Sequence, residues 1–391
     1  MNSIDTKYRD TIVISAGGTG GHIFPALSII KQIKDYKLII ITDVRGELYF
    51  KKFFKTNKKN FNYTMFTYKV TSPSNNNLLK KIISIYQFLL CTLKSIKLFL
   101  SQKPNIIIGF GGYPPVAPVI AGKILKIPII IHEQNIILGR ANRFLSKFSN
   151  ILALSFKTTK LNNIKINSIY SGNPCREEFH KIGELGYRTP TLNGKFIILI
   201  IGGSLGANYL SSKITDVLCS LPIKLKKRLL IFHQVVDEEI IRVKEIYKIN
   251  NINSEVNAFF DDISIKFKKA HLIISRSGGS SISEILASNR PAILIPLPTA
   301  LDNHQEENAK FISSINGGWL LDQNKITTKE FKHIIEDLMF DPQKLKKANL
   351  EIKKVYNSNL KHLKNMHPTE FIVEIIKNLI NTNQVIKRVQ L

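Results

Sequence analysis

Short apolar runs along the chain alternate with longer stretches whose apolar positions recur at helical spacing. The runs 11–16 (TIVISA), 37–42 (KLIIIT), 105–109 and 128–132 are rich in β-branched residues and predict strands. Between them, 23–35, 78–100 and 115–125 predict helices, the first starting at Pro25, a residue suited to a first helical turn. Strand and helix in alternation are the signature of a parallel sheet built from βαβ units. Around 171–195 the pattern breaks into a segment rich in Gly, Pro and charge, which reads as a linker and domain start. A second series follows, with strands at 195–201, 229–233, up to Phe259, 272–275 and 292–296, and helices at 207–219, 237–250 and 280–288. The fold class expected is therefore α/β, with two Rossmann-like halves in sequence.

Length and composition fit this division. At 391 residues the chain exceeds one usual domain, and 44% hydrophobic with 22% charged residues is globular. The net charge of +27 comes from scattered lysines without a zinc-finger spacing or an aromatic RNA-binding motif, so nucleic acid is not expected as a partner. Cys91, Cys175 and Cys219 have no paired spacing, which predicts free thiols and neither a disulfide framework nor a zinc site. The polar N-terminus MNSIDTKYRD does not read as a secretory signal. In 78–100 the longest uncharged run, 82–93, is 12 residues, short of the ~20 that span a bilayer. With Lys80, Lys81, Lys94 and Lys97 beside Ile82, Ile83, Phe88, Leu89 and Phe99, one face is expected in the core and the rest on an anionic lipid surface.

The chemistry lies in the turns. Gly17-Gly18-Thr19-Gly20-Gly21-His22 joins a strand to a helix, where free N–H groups and the helix dipole suit a phosphate. The dinucleotide pattern fails because Ile23 stands where its third glycine belongs, and no Gly-Lys-Ser/Thr follows for a nucleotide P-loop. Gly111-Gly112 and the 202–207 turn (GGSLGA) occupy equivalent places after their strands. Three such turns over two halves predict a cleft between domains that holds a diphosphate; the bland alternative is tight packing of helices on strands. Gly202-x-Ser204-x-Gly206 also matches a hydrolase nucleophile elbow, for which Asp302 and His304 are the available acid and base. Ser275-Arg276-Ser277-Gly278-Gly279-Ser280 opens a helix carrying Glu284, whose carboxylate can accept both hydroxyls of a ribose.

In this order the segments GGTGGHIFPAL (17–27), FGGYPPVAP (110–118), IHEQNIILGRANR (131–143), SGNPCR (171–176), GGSLGAN (202–208), FHQ (232–234), FFDDI (259–263), SRSGGSSISE (275–284) and DNHQEENA (302–309) resemble the MurG family of N-acetylglucosaminyltransferases over about 11–365. The resemblance implies a GT-B fold, two Rossmann-like domains with a cleft between them. An N-terminal acceptor and membrane-facing domain would span 1–172, a C-terminal UDP-GlcNAc-binding domain 173–365, and a last helix within 366–391 would pack back on the first. It implies GlcNAc transfer with inversion from UDP-GlcNAc to the C4 hydroxyl of MurNAc in undecaprenyl-pyrophosphoryl-MurNAc-pentapeptide (lipid I), giving lipid II. The enzyme would be peripheral at the cytoplasmic face of the bacterial inner membrane and would need no metal or other cofactor. His22 is the leading base, since an imidazole titrates near working pH, with Glu133 as the alternative.

By the same resemblance Thr19, Gly20, Gly21, Asn135, Arg176, Ser204, Phe260, Gly279, Ser280, Glu284, His304, Gln305 and Asn308 serve the donor, Phe260 through its backbone. Gly17, Gly18, Gly111, Gly112 and His132 serve the acceptor, which the rest of the first glycine turn and Asn135 also face. Three departures touch the donor side: Leu205 replaces an expected Gln, His304 precedes Gln305 where Gln-Gln is usual, and His233-Gln234 runs into Val235-Val236-Asp237 without a glycine and a lysine. Rival readings are a non-catalytic nucleotide-sugar binding module and another GT-B enzyme, a glycolipid glucosyltransferase or a UDP-GlcNAc 2-epimerase. HEQN together with GGTGGH argues against the two enzymes.

Overall fold

Runs of isoleucine and valine build two parallel sheets, each buried on both faces, as such near-continuous apolar strands require. The computed structural model describes residues 10–57, 60–69, 78–161, 166–202 and 209–389. Ser204 and Leu205, and the side chains of Lys80 and Lys81, lie outside the described residues. The chain divides into two compact units, Met1–Cys175 with Leu363–Leu391, and Arg176–His362.

Unit 1 carries β1 Thr11–Ser15, β2 Lys37–Thr42, β3 Asn62–Thr67, β4 Ile106–Gly109, β5 Ile129–Glu133, β6 Ile151–Leu154 and β7 Ser168–Tyr170. Its helices are α1 Gly20–Gln32, α2 Val44–Asn57, α3 Leu78–Gln102, α4 Val116–Ile124 and α5 Arg140–Leu145. The strand order β3-β2-β1-β4-β5-β6-β7 reverses direction at β1 and β4. These two pair with Ile12 opposite Ile106 and Ser15 opposite Gly109, so the turns after both strands open side by side at the switch point. α1 begins at Gly20, not Pro25: Thr19 is the N-cap, and Pro25 lies inside the helix. Two of the turn's glycines, and His22, therefore belong to the helix's first turn.

Unit 2 carries β8 Phe196–Ile201, β9 Leu229–Gln234, β10 Asn253–Asn257, β11 Leu272–Ser275, β12 Ala292–Leu294 and β13 Gly318–Leu320, in the order β10-β9-β8-β11-β12-β13. α6 Glu177–Glu184 lies within the stretch expected as linker, because Glu177 and Glu178 suit its first turn while Phe179 and Ile182 are buried. A short π-helix at Leu210–Ile214 leads into α7 Thr215–Cys219 where one regular helix was expected. α8 Ile223–Lys226, α9 Ile240–Ile249, α10 Ile263–Lys269, α11 Gly279–Ser288, α12 His304–Ser314, α13 Thr328–Phe340 and α14 Pro342–His362 complete the unit.

The chain then returns to unit 1 as α15 Pro368–Val389. Ile372, Val373, Ile376 and Ile380 join Ile23, Ala26, Ile29 and Ile30 of α1 in one core. At ~1.5–3 kcal/mol for each fully buried isoleucine, this stripe fixes the last helix against α1, the helix that the first glycine turn opens.

α3 is apolar on the wrong side for a simple core helix. Cys91, Phe99 and Ser95 face the sheet, Ser95 meeting the Tyr68 hydroxyl at 2.9 Å, while Ile82, Ile83, Ile85, Tyr86, Leu89 and Leu93 are each more than half exposed. By length and composition the helix is apolar enough to span a membrane. Its inner stripe is committed to the core of unit 1, so it lies over the sheet as a layer.

Candidate active site

In unit 1 the site grows from the ends of β1, β2, β4 and β5. Gly17 allows close approach: a Cβ there would stand 2.5 Å from Pro114 Cγ and 2.9 Å from Asp43 Oδ1. Gly18 has φ +84°, and its N–H donates to both oxygens of Asp43, at 3.1 and 3.0 Å. Asp43 also accepts the Gly46 N–H at 2.8 Å, capping α2. One carboxylate thus pins the glycine turn, and the Gly18 N–H is turned to Asp43 rather than toward an anion. An Asp directly after a strand and three residues before Gly46 carries a helix-start signal that the reading of 37–42 as a strand alone passed over.

His22 is held by the same turn. Its Nδ1 lies 3.1 Å from the Gly17 carbonyl oxygen. A carbonyl only accepts, so Nδ1 carries the proton and the lone pair of the neutral ring is on Nε2. Nε2 lies 3.1 Å from the point where a Cβ on Gly111 would stand. Gly111 and Gly112 have φ of +91° and +75°, and with no side chains they curl around the imidazole. Nε2 therefore packs against the bare backbone of Gly111, where a side chain on residue 111 would crowd both the imidazole and Asn142 Nδ2.

The neighbouring motif is spent internally. His132 is fully buried, donates from Nε2 to the Gly172 carbonyl at 3.1 Å, and accepts at Nδ1 from Gln134 Nε2 at 3.0 Å. Burial first of all, opposed by the bond to the Gly172 carbonyl, lowers its pKa to about 4, so it is neutral. Glu133, 1% exposed, accepts from the Asn135 N–H and Nδ2 at 2.9 and 3.1 Å, and from the Gly139 N–H and Asn142 Nδ2 at 3.0 and 2.8 Å. Four donors fill the lone pairs of a carboxylate. Glu133, expected as the alternative base, here clamps the 134–142 segment, with both carboxylate oxygens taken by these donors. Asn142, absent from the sequence expectations, also donates to the His132 carbonyl at 3.1 Å and sits 3.2 Å from the Cβ position of Gly111.

Unit 2 presents a second set at the end of β11. Gly278 caps α11, Gly279 and Ser280 form its first turn, and a Cβ on Gly278 would meet nothing within 4 Å. The helix start is thus uncovered at Gly278, beside the positive end of the α11 dipole. Glu284, one turn on, is buried at 9% exposure and bonded to Arg176 Nη2 at 2.6 Å. Burial raises its pKa and the Arg176 charge opposes that rise. Arg176 itself lies 4.6 Å over the Phe179 ring.

Asn308 and Gln305 act as fasteners. Asn308 is fully buried and donates to the Ser277 carbonyl at 2.9 Å, Gln305 Oε1 accepts the Leu297 N–H at 3.0 Å, and the Gln305 carbonyl accepts from Ser277 Oγ at 2.7 Å. Asp302 and Asn303, both at φ +54°, turn the chain sharply into α12. His304 donates from Nδ1 to the Leu301 carbonyl at 2.8 Å, not to Asp302, which removes the acid–base pair the hydrolase elbow required. The Phe260 ring is buried.

Two parallel sheets, each with helix-opening turns at the carboxyl ends of its central strands, are the architecture of GT-B glycosyltransferases that use nucleotide sugars. Comparison with known proteins narrows this. The glycosyltransferase family 28 N-terminal domain matches residues 12–153 and the family 28 C-terminal domain residues 197–363. A UDP-N-acetylglucosamine–N-acetylmuramyl-(pentapeptide) pyrophosphoryl-undecaprenol N-acetylglucosamine transferase of Wolbachia pipientis subsp. Culex pipiens (strain wPip) is 36% identical, covering 94% of this chain and 99% of its own. The transferase of the same name from Rickettsia massiliae (strain Mtu5) is 34% identical, over 91% and 98%. The crystal structure of Acinetobacter baumannii MurG superposes with a TM-score of 0.70 at 25% identity, covering 95% of this chain and 100% of that one. A Staphylococcus aureus MnaA–UDP structure, at TM-score 0.61 and 13% identity over 95% and 97%, shares the fold alone. The chain belongs to the MurG family of N-acetylglucosamine transferases.

Proposed function

We propose that this chain transfers GlcNAc from UDP-GlcNAc to the C4 hydroxyl of MurNAc in lipid I, forming lipid II with inversion at the anomeric carbon. Family membership supports the reaction. The observation that carries the chemistry is the His22–Gly17 bond, which orients the imidazole with Nδ1 toward the turn and Nε2, the more distal ring nitrogen, beside the bare backbone of Gly111. His22 Nε2 takes the C4 hydroxyl proton as that oxygen attacks C1 of GlcNAc. The C1–O bond to the diphosphate breaks, and UDP departs with the electron pair. Gly17, Gly20, Gly21 and Gly112 line the acceptor's path, with Thr19 and Asn135 reaching the sugars. Gly18, its N–H held by Asp43, keeps the turn's shape, and His132 and Glu133 position the segment beneath it.

Unit 2 holds the donor in this reading. The α11 N-terminus at Gly279 and Ser280, with Ser204, stabilises the negative charge that develops on the leaving diphosphate. Glu284 takes the ribose hydroxyls, Arg176 and the backbone of Phe260 border the uracil, and His304 and Gln305 meet the GlcNAc hydroxyls, with Asn308 setting their helix in place. Unit 1 docks through the exposed apolar face of α3 on the anionic cytoplasmic leaflet, where lipid I is held.

Release of UDP from UDP-GlcNAc, with and without a soluble lipid I analogue and with UDP-GalNAc as control, tests the reading. Acceptor-dependent release confined to UDP-GlcNAc is expected. Binding of UDP-GlcNAc without any acceptor-dependent release would sink the catalytic reading in favour of a binding module.

A further inference from the structure

Lys266 on α10 is almost wholly buried, and its ammonium draws together pieces from several elements of unit 2. Nζ lies 2.6 Å from Glu255 Oε2 on β10 and 3.2 Å from Asp262 Oδ2 at the N-cap of its own helix. It also stands 4.7 Å from the ring centroid of Phe232 on β9 and 5.6 Å from that of Phe260. A buried ammonium is costly unless paired, and this one has two carboxylates and two aromatic faces. Both carboxylates are over 40% exposed, at 41% and 44%, so they would stay hydrated without the lysine. Charge balance of the acids therefore does not require Lys266.

What Lys266 does fix is the segment 258–262, which joins the carboxyl end of β10 to α10. In a parallel sheet that is the edge where ligands bind. Asp262 is gripped at one end, with its carbonyl accepting the Ile265 N–H at 2.8 Å, and the Phe260 ring is pinned in the middle. Phe260 is buried as a whole residue and anchors the segment, while Ala258, Phe259 and Asp261 beside it are half-buried or exposed and offer the edge a ligand can meet. A backbone edge discriminates between bases only if it is held in one place.

We propose that Lys266 is a positioning residue that sets base specificity for the nucleoside diphosphate sugar. It holds the 258–262 backbone where it reads the pyrimidine edge, acting through Phe260 and Asp262 without touching the ligand. This rests on the reading of unit 2 as the holder of a uridine nucleotide. The chemical step, carried by unit 1, is independent of it.

The test compares the full chain with Lys266→Met, which keeps an apolar stem and removes the charge, and with Lys266→Arg, which keeps the charge. Steady-state kinetics with a lipid I analogue are run on UDP-GlcNAc, dTDP-GlcNAc and CDP-GlcNAc. Lys266→Met is expected to raise KM for UDP-GlcNAc about tenfold with kcat little changed, and to reduce the preference for the uridine donor by a similar factor. Lys266→Arg restores most of both. If Lys266→Met does not fold, the Glu255→Gln, Asp262→Asn double variant releases the same pin from solvent-exposed positions and should relax the preference equally. An unchanged donor preference in a folded variant, with only a lower Tm, overturns the proposal and leaves the reading of the donor site standing. A wild type that does not distinguish the three donors strikes that reading instead, and this proposal with it.

Discussion

At the scale of single residues, the imidazole of His22 and the missing side chain of Gly111 form one device. His22→Ala should lower kcat by roughly 10²–10⁴-fold, the usual range for loss of a general base, while UDP-GlcNAc binding by calorimetry stays unchanged. Gly111→Ala puts a methyl 3.1 Å from Nε2 at a positive φ and should reduce turnover likewise, with loss of ~1 kcal/mol of stability. Parallel loss of donor binding in His22→Ala would make His22 a loop or phosphate residue. On the donor side, Arg176 opposes the rise in the Glu284 pKa that burial causes. With Arg176→Met that opposition is gone, and Glu284 takes up its proton at a higher pH. A protonated carboxyl accepts fewer hydrogen bonds, so UDP affinity of the variant should begin to fall at a higher pH than in the wild type as the solution is acidified. Parallel pH profiles would show that Arg176 does not govern the ionisation of Glu284.

Among the elements, α3 departs most from ordinary core packing. Its inner stripe carries Ser84, Cys91, Ser95 and Phe99, while larger apolar side chains point outward. An exposed apolar stripe on a basic helix has a physical use at a lipid surface, where each nearby lysine contributes ~1 kcal/mol. Reversing Lys80, Lys81, Lys94 and Lys97 to Glu should cut co-sedimentation with phosphatidylglycerol vesicles by at least tenfold and leave UDP-GlcNAc affinity intact. Equal sedimentation would show that the stripe does not serve lipid binding. The fold of this element was legible from helical spacing in 78–100, whereas the direction each face takes was not, since periodicity distinguishes faces without saying which one meets the sheet. α1 shows the converse limit. A run of glycines reads as a turn, yet Gly20 and Gly21 are helical because the Asp43 clamp on Gly18 completes the turn earlier.

For the whole molecule, the buried histidines set the response to acid. Burial lowers the pKa of His132 to about 4 and of His233 to about 3, both below the ordinary 6.5. The unfolded chain therefore binds more protons than the native one below pH 6.5, and stability falls as pH drops from there toward 4. Each fully titrating site costs up to ~1.4 kcal/mol per pH unit in that window. The single tryptophan, Trp319, lies in unit 2 and reports its unfolding by fluorescence. Urea unfolding followed at Trp319 should show a loss on the order of 3 kcal/mol between pH 6.5 and 5, shared between His233 and His271, whose pKa burial lowers to about 4, and His233→Asn should remove about half of that slope. An unchanged slope would assign the acid sensitivity to other groups.

Much of this architecture could be read from residue order. The alternation of isoleucine-rich runs with helical spacing dictates two parallel α/β units, since only strands buried on both faces make such runs favourable. The glycine turns mark where those strands end, and their order with HEQN and RSGGSS carries the family. Three-dimensional packing assigned the work within the motifs. Glu133 and His22 are both in characteristic motifs, but one has four donors around it and the other lies against the bare backbone of Gly111 and Gly112. Asp43, Asn142 and Lys266 act across gaps of 25, 9 and 11 residues, on Gly18, Glu133 and Glu255. Such contacts depend on side chains from different elements converging, and a one-dimensional pattern records residue types and spacing while packing alone decides which lone pairs are already taken.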